Sequence, residues 1–397
     1  MVAYTFYERD NRVMRYAETL AKRGDQVDVL SLHMSGLQNA GIRNGVRVLH
    51  VQKRTVNERN QLTYLFRVFL FFLRAMIRVS VNHIRKPYQL VHVHSVPDFL
   101  VFTAWLPRLT GAKIILDNHD LLPEFYGSKF QCGKNSTIFK FMLWIEKVSC
   151  AFAHRVIVPN HLWLERIRSR SVSKSKAAVV LNSPDSSIFH RCGRTRHDDR
   201  FTMIYPGTLA VHQGVDVAIR ALAKVKDVIP QADFHIYGIG REMKALTKLV
   251  SELGMEDRIL IRPFLPIWEI AKVMENADLG VVPKLNDTFG NEAFSTKTLE
   301  FMALGVPVLI SDTAVDRYYF NERIVTFARS GDENDLAAKM VQLVRDPEAR
   351  RKQAENANKF IELNNWDVKK SEYLNLVDTL TGAALPAPAK HGQGVAA

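Results

Sequence analysis

The chain has 397 residues, 47% of them hydrophobic and 24% charged, an ordinary globular composition with length for two or three domains. Its three cysteines, Cys132, Cys150 and Cys192, are too few and too scattered for a disulfide framework or a zinc site, and no leader-like segment opens the chain, so a cytoplasmic protein is expected. The formal net charge of +13 is uneven: residues 1–195 carry +16 and the remainder −3, so an anionic partner, lipid surface or nucleic acid, is expected for the first half alone.

The N-terminus, MVAYTFYERDNRVMR, reads as a short first strand followed by a loop that holds Asn11 and Arg12. β-rich runs follow at 26–32, 46–51, 90–96, 113–118, 155–160 and 177–183, most of them separated by helical patterns. Residues 62–81, LTYLFRVFLFFLRAMIRVSV, form a helix too rich in arginine to span a bilayer. At about 100° per residue, Arg67, Arg74, Arg78 and Arg85 fall on one face and the rest is apolar. Two readings stand: a basic amphipathic helix lying in an anionic membrane interface, or a core helix with a solvated arginine stripe. His92 and His94 alternate along one strand and His119-Asp120 follow the next. H-x-H occurs in metal hydrolases, but two histidines on one buried strand face are more commonly core residues.

The polar segment HRCGRTRHDDR (190–200) reads as a linker, after which strands recur at 201–207, 232–238, 259–264, 278–283, 306–311 and 324–328. Strands alternating with helices predict two doubly wound α/β domains with parallel sheets, whose ligands bind outside the carboxyl ends of the strands. The expected boundaries are 1–190 and 201–365, with a helix at 366–381 packing back on the first domain and a disordered tail at 382–397.

Three loops after strands carry glycine or charge. Gly207 and Gly214 bracket one of them, with Thr208 and Gln213 between, a form that lets backbone amides approach an anion at a helix start. Gly238-Ile-Gly240-Arg241 forms a second but lacks the third glycine of a dinucleotide fingerprint, against a nicotinamide enzyme. The third is NEAFSTKTLEFMALG (291–305). Ser295 or Thr296 is placed to cap a helix, which puts Lys297 in its first turn against the positive end of the helix dipole. A diphosphate between them would satisfy both, with Glu300 one turn on to accept from a sugar hydroxyl pair. The bland alternative is that Lys297 reaches into water and pairs with Glu300.

The second half resembles the retaining glycosyltransferases of family 4, which have the two-domain GT-B fold. The resemblance rests on Glu292, Phe294 and Glu300, which match E-x7-E with its phenylalanine, on Gly207 and Gly214, on Gly238 and Gly240, and on the helix VDVAIRAL. Residues 91–126 resemble a bacterial branch that builds surface polysaccharides. The resemblance implies a nucleotide-diphosphate sugar as donor and a saccharide acceptor; the basic helix at a membrane would make that acceptor lipid-linked, and with no D-x-D pair at a strand end no metal or cofactor is expected. Glu300 would hold the ribose, Glu292 and the backbone near Phe294 the transferred sugar, Lys297 the diphosphate, and His119 the sugar near the reacting carbon. His94, Asp120, Asn11 and Arg12 would line the first domain's side of the cleft. The chain departs from the family at Thr208 and Gln213, where much of the family has an arginine and a lysine on the diphosphate. Lys297 is the candidate substitute and Arg241 the second. The rival readings are an inactive sugar-nucleotide-binding partner subunit and a metal-dependent hydrolase. Nucleic acid is not expected as a partner, because no recognition motif accompanies the charge.

Overall fold

The computed structural model describes residues 1–33, 40–54, 61–130 and 135–382. The strands of the first sheet are β1 (Val2–Phe6), β2 (Val27–His33), β3 (Gly41–Arg43), β4 (Val46–Lys53), β5 (Leu90–His94), β6 (Lys113–Asp117), β7 (Arg155–Val158) and β8 (Ala177–Val179). They lie in the order β3-β4-β2-β1-β5-β6-β7-β8, and only the β3–β4 pair is antiparallel. The second sheet holds β9 (Phe201–Pro206), β10 (Ala232–Tyr237), β11 (Ile259–Arg262), β12 (Leu279–Val282), β13 (Val308–Ser311) and β14 (Thr326–Ala328), all parallel, in the order β11-β10-β9-β12-β13-β14. Each strand of the second half falls inside an apolar run of the sequence. Burial on both faces explains the continuous apolar character of β9, β12 and β13, whereas β10, ADFHIY, alternates buried and half-buried residues. The short β3 carries no such signal: Gly41–Arg43 is exposed or half-buried and owes its existence to pairing with β4.

Helices cover both faces of each sheet. On one face of the first, Gln61–Arg85 and Thr137–Phe152 bury Val68, Phe71, Ala75 and Phe152 against Val2, Val93 and Leu116. On the other, Asn11–Arg23 and Trp366–Thr381 bury Tyr16, Trp366 and Tyr373 against Val29, Ile115 and Ile157. The last helix thus lies on the first domain, its Tyr373 ring stacked 4.2 Å from Tyr16. The chain crosses between domains twice, and the crossings touch: Trp366 N–H donates to Pro184 C=O at 2.9 Å. The segment 190–200 is not a free linker. Its Gly193 amide donates to Glu275 and its Arg196 guanidinium pairs with Asp278, strapping it to the second domain. The expected disorder at 382–397 lies, beyond Gly382, outside the described residues.

The first turn differs from the sequence expectation. Asp10, not a glycine-rich loop, ends the turn after β1, and its Oδ1 accepts from Val13 N–H at 3.1 Å to cap the helix Asn11–Arg23. Asn11 and Arg12 therefore occupy helical first-turn positions rather than a loop.

The helix Gln61–Arg85 is a core helix with a solvated arginine stripe. Val68, Phe71, Ala75 and Val79 are core residues, and Arg74, Arg78 and Arg85 are exposed. A third stripe, Phe66, Phe69, Ile77 and Ile84, is apolar and also exposed, at 52–73%. Among the described residues no helix is long and apolar enough to cross a membrane.

Candidate active site

The carboxyl ends of β5 and β6 bring four polar side chains together. Asp117 ends β6 fully buried, and Arg12 grips both of its oxygens, each at 2.8 Å. His94 Nδ1 and His119 Nε2 lie 3.1 Å from the same Asp117 oxygen and 3.1 Å from each other. Burial opposes the charge on Asp117, but Arg12 and His119 outweigh it and hold the carboxyl well below the usual range. Burial pushes His94 down to about 4. It acts the same way on His119, but there Asp117 prevails and raises the imidazole above its ordinary value. His119 and the half-buried Asp120 face a cavity of about 180 Å³ that Asp10 also lines, and burial raises Asp120 to about 6. Arg12, expected to face the acceptor, is instead 4% exposed and consumed by Asp117 and by Val180 C=O. Its helical first-turn position aims it inward.

His92, His94 and Asp117 do place one ligand atom each within 4.8 Å. The donor set nevertheless suits a metal poorly. Arg12 already holds both Asp117 oxygens, His92 Nδ1 is 3.0 Å from the Tyr373 hydroxyl, and a cation there would lie against the Arg12 guanidinium.

Across the cleft, the loops after β9, β10 and β12 meet. A Cβ on Gly238 would come 1.8 Å from Gly207 C=O, so the glycines allow two loop backbones to touch. Lys297 lies over this contact. A Cβ on Gly207 would come 2.2 Å from Lys297 Cε, and Lys297 Nζ is 3.5 Å from Gln213 Oε1 and 5.3 Å from the Tyr205 ring centre. The Tyr205 hydroxyl lies 2.9 Å from Thr208 C=O and 3.0 Å from Gln213 Oε1, which fixes that loop. The structure thus brings Lys297 to the two positions, Thr208 and Gln213, where the chain departs from the family pattern. Burial lowers Lys297 to about 8 and raises Glu300, each partly restored by the other's charge. No ion pair joins Lys297 to Glu300 among the described residues. Ser295 takes the N-cap position of the helix Thr296–Leu304, but neither it nor Thr296 supplies a side-chain cap. The Ser295 hydroxyl is buried without a hydrogen-bond partner at the start of that helix. Arg241 is exposed, and the helix expected to open there begins at Met243.

Glu292 faces the first domain. Arg166 on the helix His161–Arg170 grips both of its carboxylate oxygens, and Asn160 Nδ2 donates to its C=O at 3.0 Å. Phe294 packs 4.9 Å from the Tyr319 ring in the second domain's core. Sequence reasoning passed over Asp117, Arg166 and Lys284. Lys284 is 2% exposed, pairs with Asp316 at 2.8 Å and donates to Ala293 C=O at 2.7 Å, tying down the loop that carries Glu292. A lysine directly after the buried strand end VVP was its only sequence signal.

Residues 10–183 match the family described as "Glycosyl transferase 4-like domain", and residues 190–360 match "Glycosyl transferases group 1". A D-inositol 3-phosphate glycosyltransferase of Thermomonospora curvata is 23% identical over 94% of this chain and 89% of its own. Among solved structures, sucrose-phosphate synthase of Thermosynechococcus elongatus superposes with a TM-score of 0.79 at 18% identity, covering 96% of this chain and 99% of that one. Anabaena Alr3699/HepE in complex with UDP-glucose gives 0.72 at 14%, over 95% and 98%. These structural likenesses establish the fold; the two domain matches speak to what the fold is used for. With a glycosyltransferase domain matched over each half, the chain belongs to the GT-B glycosyltransferases.

Proposed function

We propose that the chain is a retaining, metal-independent glycosyltransferase of family 4. It would move a sugar from a nucleotide-diphosphate sugar to a lipid-linked saccharide acceptor, at the cytoplasmic face of an anionic membrane, in bacterial polysaccharide or glycan synthesis. The observation that carries the donor end is Lys297: a cation at the start of the helix Thr296–Leu304, laid over Gly207 beside Gln213. A diphosphate there meets Lys297, the free amides of the first helical turn and the unpartnered Ser295 hydroxyl. As the bond to the sugar breaks, charge grows on the departing diphosphate, and fixed donors in a partly dry cleft stabilise it most. Glu300 accepts from the ribose hydroxyls, Glu292 and the backbone near Phe294 hold the sugar, and His119 donates to the sugar near the reacting carbon. No side chain is assigned as nucleophile. The UDP-glucose carried by the Anabaena neighbour supports a donor of this class. Retention rests on the family resemblance.

The acceptor and membrane reading has its own support. Gln61–Arg85 packs against Trp105–Leu109, where Trp105 and Leu109 are exposed, and Thr137–Phe152, which covers the same face of the sheet, exposes Ile138, Phe141 and Trp144. The carboxylates on these three segments, Asp98 and Glu146, are buried, whereas Arg74, Arg78, Arg108, Lys140 and Lys147 are exposed. An apolar face rimmed by cations alone suits an anionic interface. Initial rates against uridine, guanosine and adenosine diphosphate hexoses, with and without chelator, test the enzyme reading. Loss of activity on chelation, or an inverted product anomer by NMR, overturns it. Flotation with phosphatidylglycerol vesicles but not with phosphatidylcholine vesicles is the expected membrane result. Equal flotation with both overturns it.

A further inference from the structure

We infer that Arg166 of the first domain is a positioning residue for the donor sugar: it aims Glu292, so the sugar end of the donor site is configured by the opposite domain. The inference rests on the proposed role of Glu292 and goes beyond it by assigning what sets that group's geometry. Arg166 Nε donates to Glu292 Oε2 at 2.7 Å and Nη2 donates to Oε1, a two-pronged grip that fixes the carboxylate plane. A carboxylate so held keeps outward lone pairs free for sugar hydroxyls.

Arg166 is itself held. Its Nη1 lies 3.6 Å from Glu124, which pairs with Arg170 at 2.5 Å, and Arg170 reaches the fully buried Glu146 at 2.6 Å. Glu292, Arg166, Glu124, Arg170 and Glu146 thus alternate in sign from the cleft into the first domain. A network of this kind restrains its members more than an isolated surface pair does. The backbone is anchored alongside. Asn160 holds Glu292 C=O, and Phe289, three residues earlier, is 5% exposed with its ring 5.3 Å from Phe125 and 5.8 Å from Trp163 of the first domain. The second domain holds the same loop through Lys284, which donates to the Ala293 carbonyl, and through the Ala314 and Val315 amides, which donate to Asn291.

The test separates sugar from diphosphate. Calorimetric affinities of the whole chain are measured for uridine, guanosine and adenosine diphosphates and for their hexose sugars. In Arg166→Met the preferred nucleotide sugar weakens by about tenfold or more, as loss of bonds to a charged group implies. The matching diphosphate changes less than about twofold, because Lys297 and Glu300 are untouched. Arg166→Lys, which keeps the charge and one prong, recovers part of the sugar affinity. Equal weakening of sugar and diphosphate makes Arg166 a general structural residue and overturns the inference, as does no weakening of either. If the native chain binds nucleotide sugars no better than diphosphates, the proposed role of Glu292 fails first and the inference with it.

Discussion

The two walls of the cleft are built on opposite plans. On the first domain, Asp117 is saturated by Arg12, His94 and His119 before any ligand arrives, while His119 still faces the cavity beside Asp120. On the second, Lys297 has a long contact with an amide oxygen and an aromatic face, the Ser295 hydroxyl has no hydrogen-bond partner, and Glu300 is half-buried with its carboxyl raised above the ordinary value. Charges that are paired within the protein are stabilising ones. Charges kept poorly paired in a cleft are held in readiness for something else. On the proposed function, the first wall is a fixed support that orients His119, and the second is a socket for an anion.

The largest effect tests the fixed wall. Asp117→Ala strands Arg12 in the core without its partner and is expected to cost about 3–5 kcal/mol of stability in chemical denaturation. A cost under about 1 kcal/mol would erase the contrast. Next comes the socket: Lys297→Ala lowers turnover on the order of a hundredfold or more with little change in the denaturation midpoint. Near-native turnover sinks its role. Glu300→Gln is smaller, about a tenfold loss of nucleoside diphosphate affinity by calorimetry, with native affinity the contrary result.

The finest distinction is one of pH. Burial takes Lys297 from 10.5 down to about 8, so between those values the unfolded chain binds a proton that the folded chain has released. Over that window this group's contribution to stability rises with pH, while kcat/KM falls because the cation is lost. Opposite slopes in the two measurements above pH 8 are the expected signature. Parallel slopes assign the break to another group. In Gln213→Lys, a second cation beside Lys297 moves the break to lower pH; an unmoved break places Lys297 elsewhere.

Much of this was legible in the sequence because parallel strands buried on both faces write themselves as apolar runs. Lys297 was legible as well, since a lysine in a first helical turn conflicts with the dipole and the conflict asks for a ligand. Arg166 and Glu292 were not legible as a pair. They lie 126 positions apart, and only the docking of two domains brings them together. Arg12 was misplaced for a different reason. Asn11 and Arg12 were read as the loop after the first strand, whereas Asp10 was available as a cap and turned the same residues into a helix whose second position points inward. Asp117, at the end of KIILD, read as one more strand residue, because burial and an ion-pair partner are tertiary facts. The C-terminal helix was expected to pack on the first domain, but the ring it stacks against, Tyr16 on the first helix of the chain, is a tertiary fact.

The hydrogen bond from Trp366 to Pro184 ties together the two places where the chain passes between domains. Two adjacent tethers act like a pair of hinges on one door frame. They leave rotation about a single line as the soft motion and resist twisting and sliding. Fewer relative arrangements of the two halves are open to the chain than a single tether would allow.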